Sequence, residues 1–346
     1  MTVITTFEQE RGVQVEMLPK LPRGDGGLLD ALRKTKPVAP SVLPDIIALP
    51  FQDVPLAAND DLLQPLDDLF SSTIADDYYP FAQQASRVDG MWMAMPFAAD
   101  FEHLAFQPAA LSDPPVSWDI ILASATRYSF PVGGPDSVWT DALLLHYLST
   151  VPEGESPQRN KSALRQQLDF YESLFRGGFV DASILQISHP RGTWDQALQG
   201  AVTLAETTTS QWLSQREEAT FLRFGPTPTQ DGQARYIIHG WAYALITADE
   251  THQALAVELI NRLIEAQALA DWGIQAHALP ARRSSLQKWP AGDFRDFVNE
   301  ALERGMLTPA FTRDEVMARS VHQAARAVLN GEMDADEAWR QAISDW

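Results

Sequence analysis

Short apolar runs rich in β-branched residues alternate along this chain with segments of helical periodicity. Residues 45–49 (DIIAL) lie between two prolines, and residues 202–205 and 236–246 form two further strand-like runs. Residues 161–176 and 252–269 instead place apolar side chains along one helical face. Strands that alternate with helices are typical of the α/β class, in which helices cover the faces of a sheet. We therefore predict an α/β protein.

The first 70 residues and the carboxyl terminus supply more local predictions. We expect an opening helix that ends at Gly12, a usual helix stop, and then a half-buried strand over residues 13–17. Residues 60–70 carry four leucines at helical spacing and predict an acidic helix. Asp334 and Glu337 have the spacing of a capping box and predict the start of a final helix.

Charge and composition exclude several classes of function. The chain has 346 residues with 26 basic and 46 acidic side chains, a net charge of −20, which disfavours nucleic acid and anionic lipid surfaces as partners. At about 150 residues per domain, the length suggests two domains. No apolar run approaches the ~18 residues of a membrane span. Because cysteine is absent, disulfides, thiolate metal sites and cysteine nucleophiles are excluded.

Recognisable catalytic motifs are missing as well. The chain has no G-x-S-x-G, G-x-G-x-x-G, P-loop or H-E-x-x-H sequence, and its seven histidines are scattered, so we expect no metal and no cofactor. One pair of carboxylates leaves a catalytic function open. If residues 98–106 are extended, Asp100 and Glu102 lie on one face about 7 Å apart, which fits an inverting glycosidase. The alternative is a pair of solvated surface acids.

Eight segments spread over nearly the whole chain carry the most specific signal. They are 7–17 (FEQERGVQVEM), 44–50 with 62–69 (PDIIALP, LLQPLDDL), 89–106 (DGMWMAMPFAADFEHLAF), 114–125 (PPVSWDIILASA), 194–204 (WDQALQGAVTL), 239–246 (HGWAYALI), 278–286 (ALPARRSSL) and 325–342 (ARAVLNGEMDADEAWRQA). In this order they resemble the family 1 extracellular solute-binding proteins, the maltose-binding-protein-like receptors of ABC importers. The family's first strand and the ligand-contacting loop before its first helix have no counterpart here, which suggests a trimmed start.

The resemblance implies a two-lobed α/β fold of the periplasmic-binding-protein type (type II), with discontinuous lobes, a ligand cleft and a hinge between them. Lobe 1 is expected to comprise residues 1–99 and 243–285, and lobe 2 residues 103–239 and 289–346. The crossings are expected near 98–103, 239–243 and 284–290.

The same resemblance implies ligand contacts in lobe 1. Phe51, Gln52 and Asp53 follow the PDIIALP strand at positions where the family presents aromatic and polar contacts, although a loop with a helix cap is the simpler interpretation. Asp100 occupies the acidic position that contacts ligand in maltose-binding proteins, or it is a solvated hinge residue. Trp241 stands next to Gly240 at a crossover strand, where its indole suits a sugar ring. A core tryptophan is the alternative.

In lobe 2 the resemblance points to two further stretches. Asp136, Ser137 and Trp139 match a segment that supplies an aromatic platform in sugar receptors, although Trp139 also suits a core position. Thr207, Thr208 and Thr209 follow the GAVTL strand, where family members place ligand contacts. Threonine stands here where the maltose receptor has tryptophan, which puts maltodextrin specificity in doubt.

The resemblance thus implies a monomeric extracytoplasmic receptor for a small molecule, a mono- or oligosaccharide, that closes by hinge motion and delivers its ligand to ABC permease subunits. We expect it in the periplasm or at the cell surface, soluble or anchored through a leader absent from this chain. Two alternatives stay open: a glycan-acting hydrolase that uses Asp100 and Glu102, and a receptor-like sensor not coupled to transport.

Overall fold

The computed structural model describes residues 2–22, 24–133 and 139–346. Over these ranges it contains ten strands: β1 (Ile46–Pro50), β2 (Arg87–Val88), β3 (Met91–Trp92), β4 (Met95–Asp100), β5 (Glu102–Phe106), β6 (Tyr128–Ser129), β7 (Leu204–Thr208), β8 (Arg223–Gly225), β9 (His239–Leu245) and β10 (Leu279–Pro280).

The same ranges contain sixteen α-helices: α1 (Thr2–Arg11), α2 (Leu28–Thr35), α3 (Val54–Asn59), α4 (Ser72–Asp77), α5 (Pro80–Ser86), α6 (Trp118–Ser124), α7 (Asp141–Ser149), α8 (Lys161–Arg176), α9 (Pro190–Leu198), α10 (Thr209–Gln215), α11 (Glu250–Leu263), α12 (Ala266–Ala276), α13 (Arg283–Leu286), α14 (Asp293–Arg304), α15 (Glu315–Leu329) and α16 (Ala335–Ser344). Short 3₁₀ turns span Pro40–Val42, Phe51–Asp53, Ala182–Gln186 and Ala310–Arg313.

The chain divides into two compact units, each built from two separate segments. The first unit comprises Met1–Asp100 and Ile238–Glu303, and the second comprises Phe101–Ile237 and Arg304–Trp346. The last passage between the units therefore falls after Glu303, whereas the family resemblance implied a crossing near 284–290. Helix α14 stays with the first unit because Tyr79 Oη donates to Asn299 Oδ1 at 2.9 Å and Arg283 forms an ion pair with Glu303 at 2.6 Å.

The sheet of the first unit has the strand order β1-β9-β4-β10, and all its neighbours are antiparallel. Because side chains alternate along a strand, the register places two sets on opposite faces. Ile47, Leu49, Ala242 and Ala244 are buried on one face. Ile46, Ala48, Trp241 and Tyr243, on the other face, are partly exposed.

The second unit has its own four-stranded sheet and its own core. The strand order is β6-β7-β5-β8, with β6 parallel to β7 and the other neighbours antiparallel. Leu104, Phe106 and Leu204 contribute to a core that also takes buried side chains from α7, α8, α15 and α16. In this core the rings of Trp118 and Phe170 stack with centroids 4.1 Å apart.

The longest periodic segments are confirmed. Helix α8 spans the predicted residues 161–176, α1 ends before Gly12, and Asp334 caps α16 by accepting the Glu337 N–H at 2.8 Å. The single helix predicted over 252–269 is instead two helices. They separate at Glu265, whose carboxylate accepts the first N–H groups of α12.

Two local predictions are wrong. Residues 60–70 form turns rather than a helix, since Pro65 lacks an N–H donor and Asp61 has a φ of 56°. Leu62, Leu63 and Leu66 are nevertheless buried, so the leucine spacing indicated burial and not a helix. Residues 13–17 form no strand, and Met17 is 72% exposed. Within the described ranges, we find no helix with both the length and the hydropathy of a membrane span.

Candidate functional site

Trp241 and Asp100 lie on the same face of the first unit's sheet. In the antiparallel pair of β4 and β9, Ala98 lies opposite Trp241 and Asp100 lies opposite His239. Directly opposed residues and residues two positions along share a face, so Asp100, His239 and Trp241 are neighbours. Trp241 and Asp100 are half-buried, and His239 is exposed. We call these three residues the first-unit cluster.

Phe51, which was predicted to contact the same ligand, lies on the opposite face of this sheet. Its ring is 5% exposed and packs 6.0 Å from the ring of Phe81. A Cβ added to Gly240 would lie 2.4 Å from the Phe51 ring and 2.1 Å from the Ala98 carbonyl oxygen. Because side chains alternate along a strand, this Cβ position and the Trp241 side chain lie on opposite faces. The sheet therefore separates the Phe51 ring from the first-unit cluster.

Gln52 and Asp53 follow Phe51 in the 3₁₀ turn that leads into α3. Gln52 is half-buried, whereas Asp53 is 7% exposed and stands at the N-cap position of the helix. Of the three predicted residues in this turn, Gln52 is therefore the one that presents a partly exposed side chain.

The predicted threonines of the second unit also divide into buried and partly exposed side chains. Thr207 and Thr209 are fully buried, and Thr207 lies opposite His103, whose pKa burial lowers to about 4. Thr208 is half-buried and caps α10, with its Oγ1 accepting the Gln211 N–H at 3.1 Å. In register, Thr208 lies opposite Glu102, which is 9% exposed. Thr208 is thus the one predicted threonine with a partly exposed side chain.

The third predicted stretch is described only in part. Asp136 and Ser137 lie outside the described residues. Trp139 packs against the core of the second unit, with its ring 5.8 Å from Tyr147 and 6.2 Å from Phe311. These contacts fit the core position that the sequence analysis kept as the alternative for Trp139.

A known protein family matches most of this chain. The family described as bacterial extracellular solute-binding protein matches residues 2–295. The chain belongs to the bacterial extracellular solute-binding protein family. The sequence prediction of a solute-binding receptor family is thereby confirmed.

Solved structures of the same kind confirm the fold. Maltose-bound MalE3 of T. maritima has a TM-score of 0.75 at 16% identity, over 99% of this chain and 94% of that chain. The sugar-binding protein MalE of Xanthomonas citri has a TM-score of 0.75 at 19% identity, over 99% and 92%. The cyclic α-maltosyl-1,6-maltose binding protein of Arthrobacter globiformis has a TM-score of 0.73 at 14% identity, over 99% and 93%. At such identities the likeness establishes the two-lobed α/β fold.

Extracellular solute-binding proteins are receptors, and the geometry that a hydrolase would require differs from that assumed in the sequence analysis. Strand β4 ends at Asp100 and β5 begins at Glu102, so the two carboxylates do not share one continuous strand. They also belong to different units. No group of three or more potential metal ligands lies together in the part of the chain that the structure describes.

His239 is the member of the first-unit cluster that sequence reasoning did not single out. It stands two residues before Trp241, and the alternation of side chains along a strand places both on one face. The period of a strand could therefore have suggested it. The pairing of His239 with Asp100, 139 positions away along the chain, required the sheet register.

A cavity of about 230 Å³ lies elsewhere in the first unit. It is lined by Leu66, Asp67, Phe70, Ser71, Ala75, Arg87, Trp92 and Met95, and it includes none of the predicted contact residues. The guanidinium of Arg87 lies 4.8 Å over the Trp92 ring at this cavity.

Proposed function

We propose that this chain is an extracytoplasmic receptor for a mono- or oligosaccharide and that Trp241 and Asp100 contact the ligand. The observation that carries the proposal is the placement of a half-buried indole and a carboxylate on one face of a strand pair in a solute-binding family member. Two of the structural neighbours are a maltose-bound MalE3 and a cyclic α-maltosyl-1,6-maltose binding protein, which supports a saccharide as the ligand class.

The chemistry of these side chains suits a sugar. The C–H face of a pyranose stacks on an indole, and a carboxylate accepts hydrogen bonds from sugar hydroxyls. His239 adds a donor or an acceptor beside Asp100. Gln52 in the first unit and Thr208 in the second are the further contacts that we propose. The buried side chains of Phe51, Asp53, Thr207 and Thr209 would then support the site rather than touch the ligand.

The test is titration calorimetry with a panel of saccharides that includes maltose and acarbose, together with a polyamine. We expect at least one saccharide to bind the wild-type protein and to raise its melting temperature. Trp241→Ala should weaken that binding about tenfold or more, because the stacking surface is lost. Stabilisation by the polyamine and by no saccharide would overturn the saccharide assignment.

Trp272→Ala is the matched control. Trp272 lies on α12 of the same unit, is 39% exposed and contacts Phe97 edge-on at 5.4 Å. Its removal should leave saccharide affinity unchanged. Equal losses of affinity in the Trp241 and Trp272 variants would show a general effect of losing an indole and would contradict the site.

The remaining parts of the proposal concern architecture and partners. We propose that the two lobes correspond to the two compact units, that the protein is a monomer and that ABC permease subunits receive the ligand. Membership in an extracellular family supports a location outside the cytoplasm. Closure of the lobes on the ligand stays a prediction, which small-angle X-ray scattering with and without saccharide can test.

Two assays separate the receptor from its alternatives. A hydrolase would turn over a chromogenic glycoside and lose that activity in Asp100→Asn, whereas a receptor shows no turnover in either form. A sensor module would bind the saccharide without supporting its uptake by cells that carry the cognate permease. We expect binding with uptake.

A further inference from the structure

A chain of hydrogen bonds crosses the core of the second unit and ends at a buried carboxylate. Tyr128 Oη donates to Glu206 Oε1 at 2.7 Å and lies 3.2 Å from His146 Nε2. His146 Nδ1 lies 2.9 Å from Tyr171 Oη, which accepts from Gln167 Nε2 at 2.9 Å. On the other side of the carboxylate, Thr227 Oγ1 donates to Glu206 Oε2 at 2.7 Å.

The direction of this chain follows from its far end. Gln167 Nε2 also donates to the main-chain oxygen of Leu143 at 2.9 Å, which fixes the orientation of the amide. The Tyr171 hydroxyl must then donate to His146 Nδ1. A neutral His146 carries its proton on Nε2 and donates to Tyr128, whose own hydroxyl proton is directed at Glu206 Oε1. Burial keeps His146 neutral by lowering its pKa to about 3.

The charges around Glu206 do not balance its own. Its side chain is fully buried, and in the described part of the protein its two oxygens accept from hydroxyl groups and form no ion pair. Among titratable groups, Tyr128 from β6 donates to Glu206 directly, and His146 from α7 and Tyr171 from α8 lie farther along the same chain of hydrogen bonds. Helix α9 contributes neutral Thr193, which donates to the Glu206 carbonyl oxygen. Glu102 from β5 shares a face of the sheet with Glu206 as a diagonal neighbour.

We propose that Glu206 is a proton-binding site of the second unit and that the proton is taken up on Oε2, with Thr227 changing from donor to acceptor. Oε1 already receives the Tyr128 proton, and the direction of that bond is fixed by Gln167. The Thr227 hydroxyl has no such constraint, so it can rotate. Glu206 can therefore gain or lose this proton while the remaining hydrogen bonds of the chain keep their direction.

The pKa of Glu206 indicates that this proton is gained and lost near neutral pH. Burial raises the pKa of Glu206 to about 7, an effect that the hydrogen bonds from Tyr128 and Thr227 reduce without cancelling. Because the folded-state pKa lies above the unfolded value of 4.5, the contribution of Glu206 to the stability of the second unit is greatest below about pH 4.5. Its contribution declines as the pH rises through about 7. A protein outside the cytoplasm meets the pH of its surroundings directly.

The experiment is urea unfolding of the full chain between pH 5 and pH 8. For the wild-type protein, we expect the equilibrium constant of unfolding to rise roughly 10- to 100-fold over this range beyond the change in Glu206→Gln, because glutamine cannot ionise. Glu217→Gln, which changes an exposed residue of the same unit, should retain the wild-type dependence. Thr227→Val should move the transition to higher pH, because the ionised carboxylate loses a donor.

Infrared spectroscopy provides a second measurement that does not require a stable variant. The wild-type protein should show the carbonyl stretch of a protonated carboxylic acid at pH 5, and this band should disappear between pH 6 and 8. The proposal is overturned if Glu206→Gln keeps the wild-type pH dependence. It is also overturned if Glu102→Gln alone abolishes that dependence, or if no acid carbonyl band titrates in this range.

Discussion

Gly240 lies between His239 and Trp241, two residues of the first-unit cluster, and a steric contact explains why it has no side chain. The Phe51 ring covers one face of its backbone, and the Ala98 carbonyl oxygen approaches from the neighbouring strand. A glycine beside a tryptophan at a strand crossing appears in the sequence as a hinge-like feature. In the structure it is the position where an aromatic ring packs directly on the main chain.

We expect Gly240→Ala to destabilise the first unit by about 1–3 kcal/mol, because the new methyl group would overlap a ring and a carbonyl oxygen. Urea unfolding measures the change. In a Phe51→Leu background the penalty should fall only in part, since the ring can be removed but the Ala98 oxygen is main chain. A penalty of zero in the single variant would contradict the close packing of β4 on β9.

At the scale of elements, α4 is held to α13 by one carboxylate. Asp77 Oδ2 accepts from Arg282 Nε at 2.8 Å and from Ser284 Oγ at 2.5 Å, and Asp77 Oδ1 accepts the Ser284 N–H at 2.9 Å. Burial raises the pKa of Asp77, but the hydrogen bonds from Ser284 and the charge of Arg282 outweigh this effect, so the pKa is lowered. Two short helices more than 200 residues apart are therefore joined.

We expect Asp77→Asn to reduce the stability of the first unit by about 1–3 kcal/mol, because the charge and one acceptor are lost. Since the folded-state pKa is lowered, the stabilisation is present above the ordinary value of 3.8 and is lost as the pH falls through the folded-state pKa. The difference between wild type and variant should therefore shrink below about pH 4. Asp76→Asn, an exposed neighbour on the same helix, should cost little at any pH.

At the scale of the whole molecule, the longer segment of the second unit, Phe101–Ile237, is inserted where a hairpin turn would otherwise join β4 to β9. Strand β4 ends at Asp100 and β9 begins at His239, and these two residues are paired in the antiparallel register. Strand β1 also pairs with β9. The sheet of the first unit therefore depends on residues that follow the insertion.

This connectivity predicts that the first unit can fold without the second. A chain in which Asp100 is joined to His239 by an Asn-Gly turn, and which ends at Glu303, should form a β-hairpin at the junction and unfold cooperatively. A chain of residues 2–100 alone should not, because both partners of β4 are missing. Circular dichroism during urea unfolding distinguishes these outcomes. Non-cooperative unfolding of the joined chain would contradict the independence of the unit.

Sequence patterns located the elements well where the local signal was strong. Helix α8, the cap at Asp334 and the strand over residues 46–50 depend on spacing, capping chemistry and flanking prolines, which act over a few residues. Residues 60–70 show the limit of such patterns. Leucine spacing indicates burial, and a turn containing Pro65 can bury the same side chains without a helix.

For the candidate site, the sequence supplied residue types and the resemblance supplied positions. It could not separate half-buried Gln52 and Thr208 from buried Phe51, Thr207 and Thr209, because burial depends on packing from distant segments. The sheet register likewise placed His239 opposite Asp100. The alternation along one strand tells which of its residues share a face, but which residues of two strands are neighbours is a property of strand pairing.

The sequence by itself determined the α/β class, the receptor family and the exclusion of thiol chemistry, since these follow from composition, period and motif order. The tertiary structure decided which residues of different strands are neighbours, where the chain passes between its two units and which buried carboxylate accepts from two hydroxyl groups. Asp100 meets His239, and Tyr128 meets Glu206, only because strands far apart in the chain are paired. Interactions of that range are set by the packing of the whole fold, and no local pattern records them.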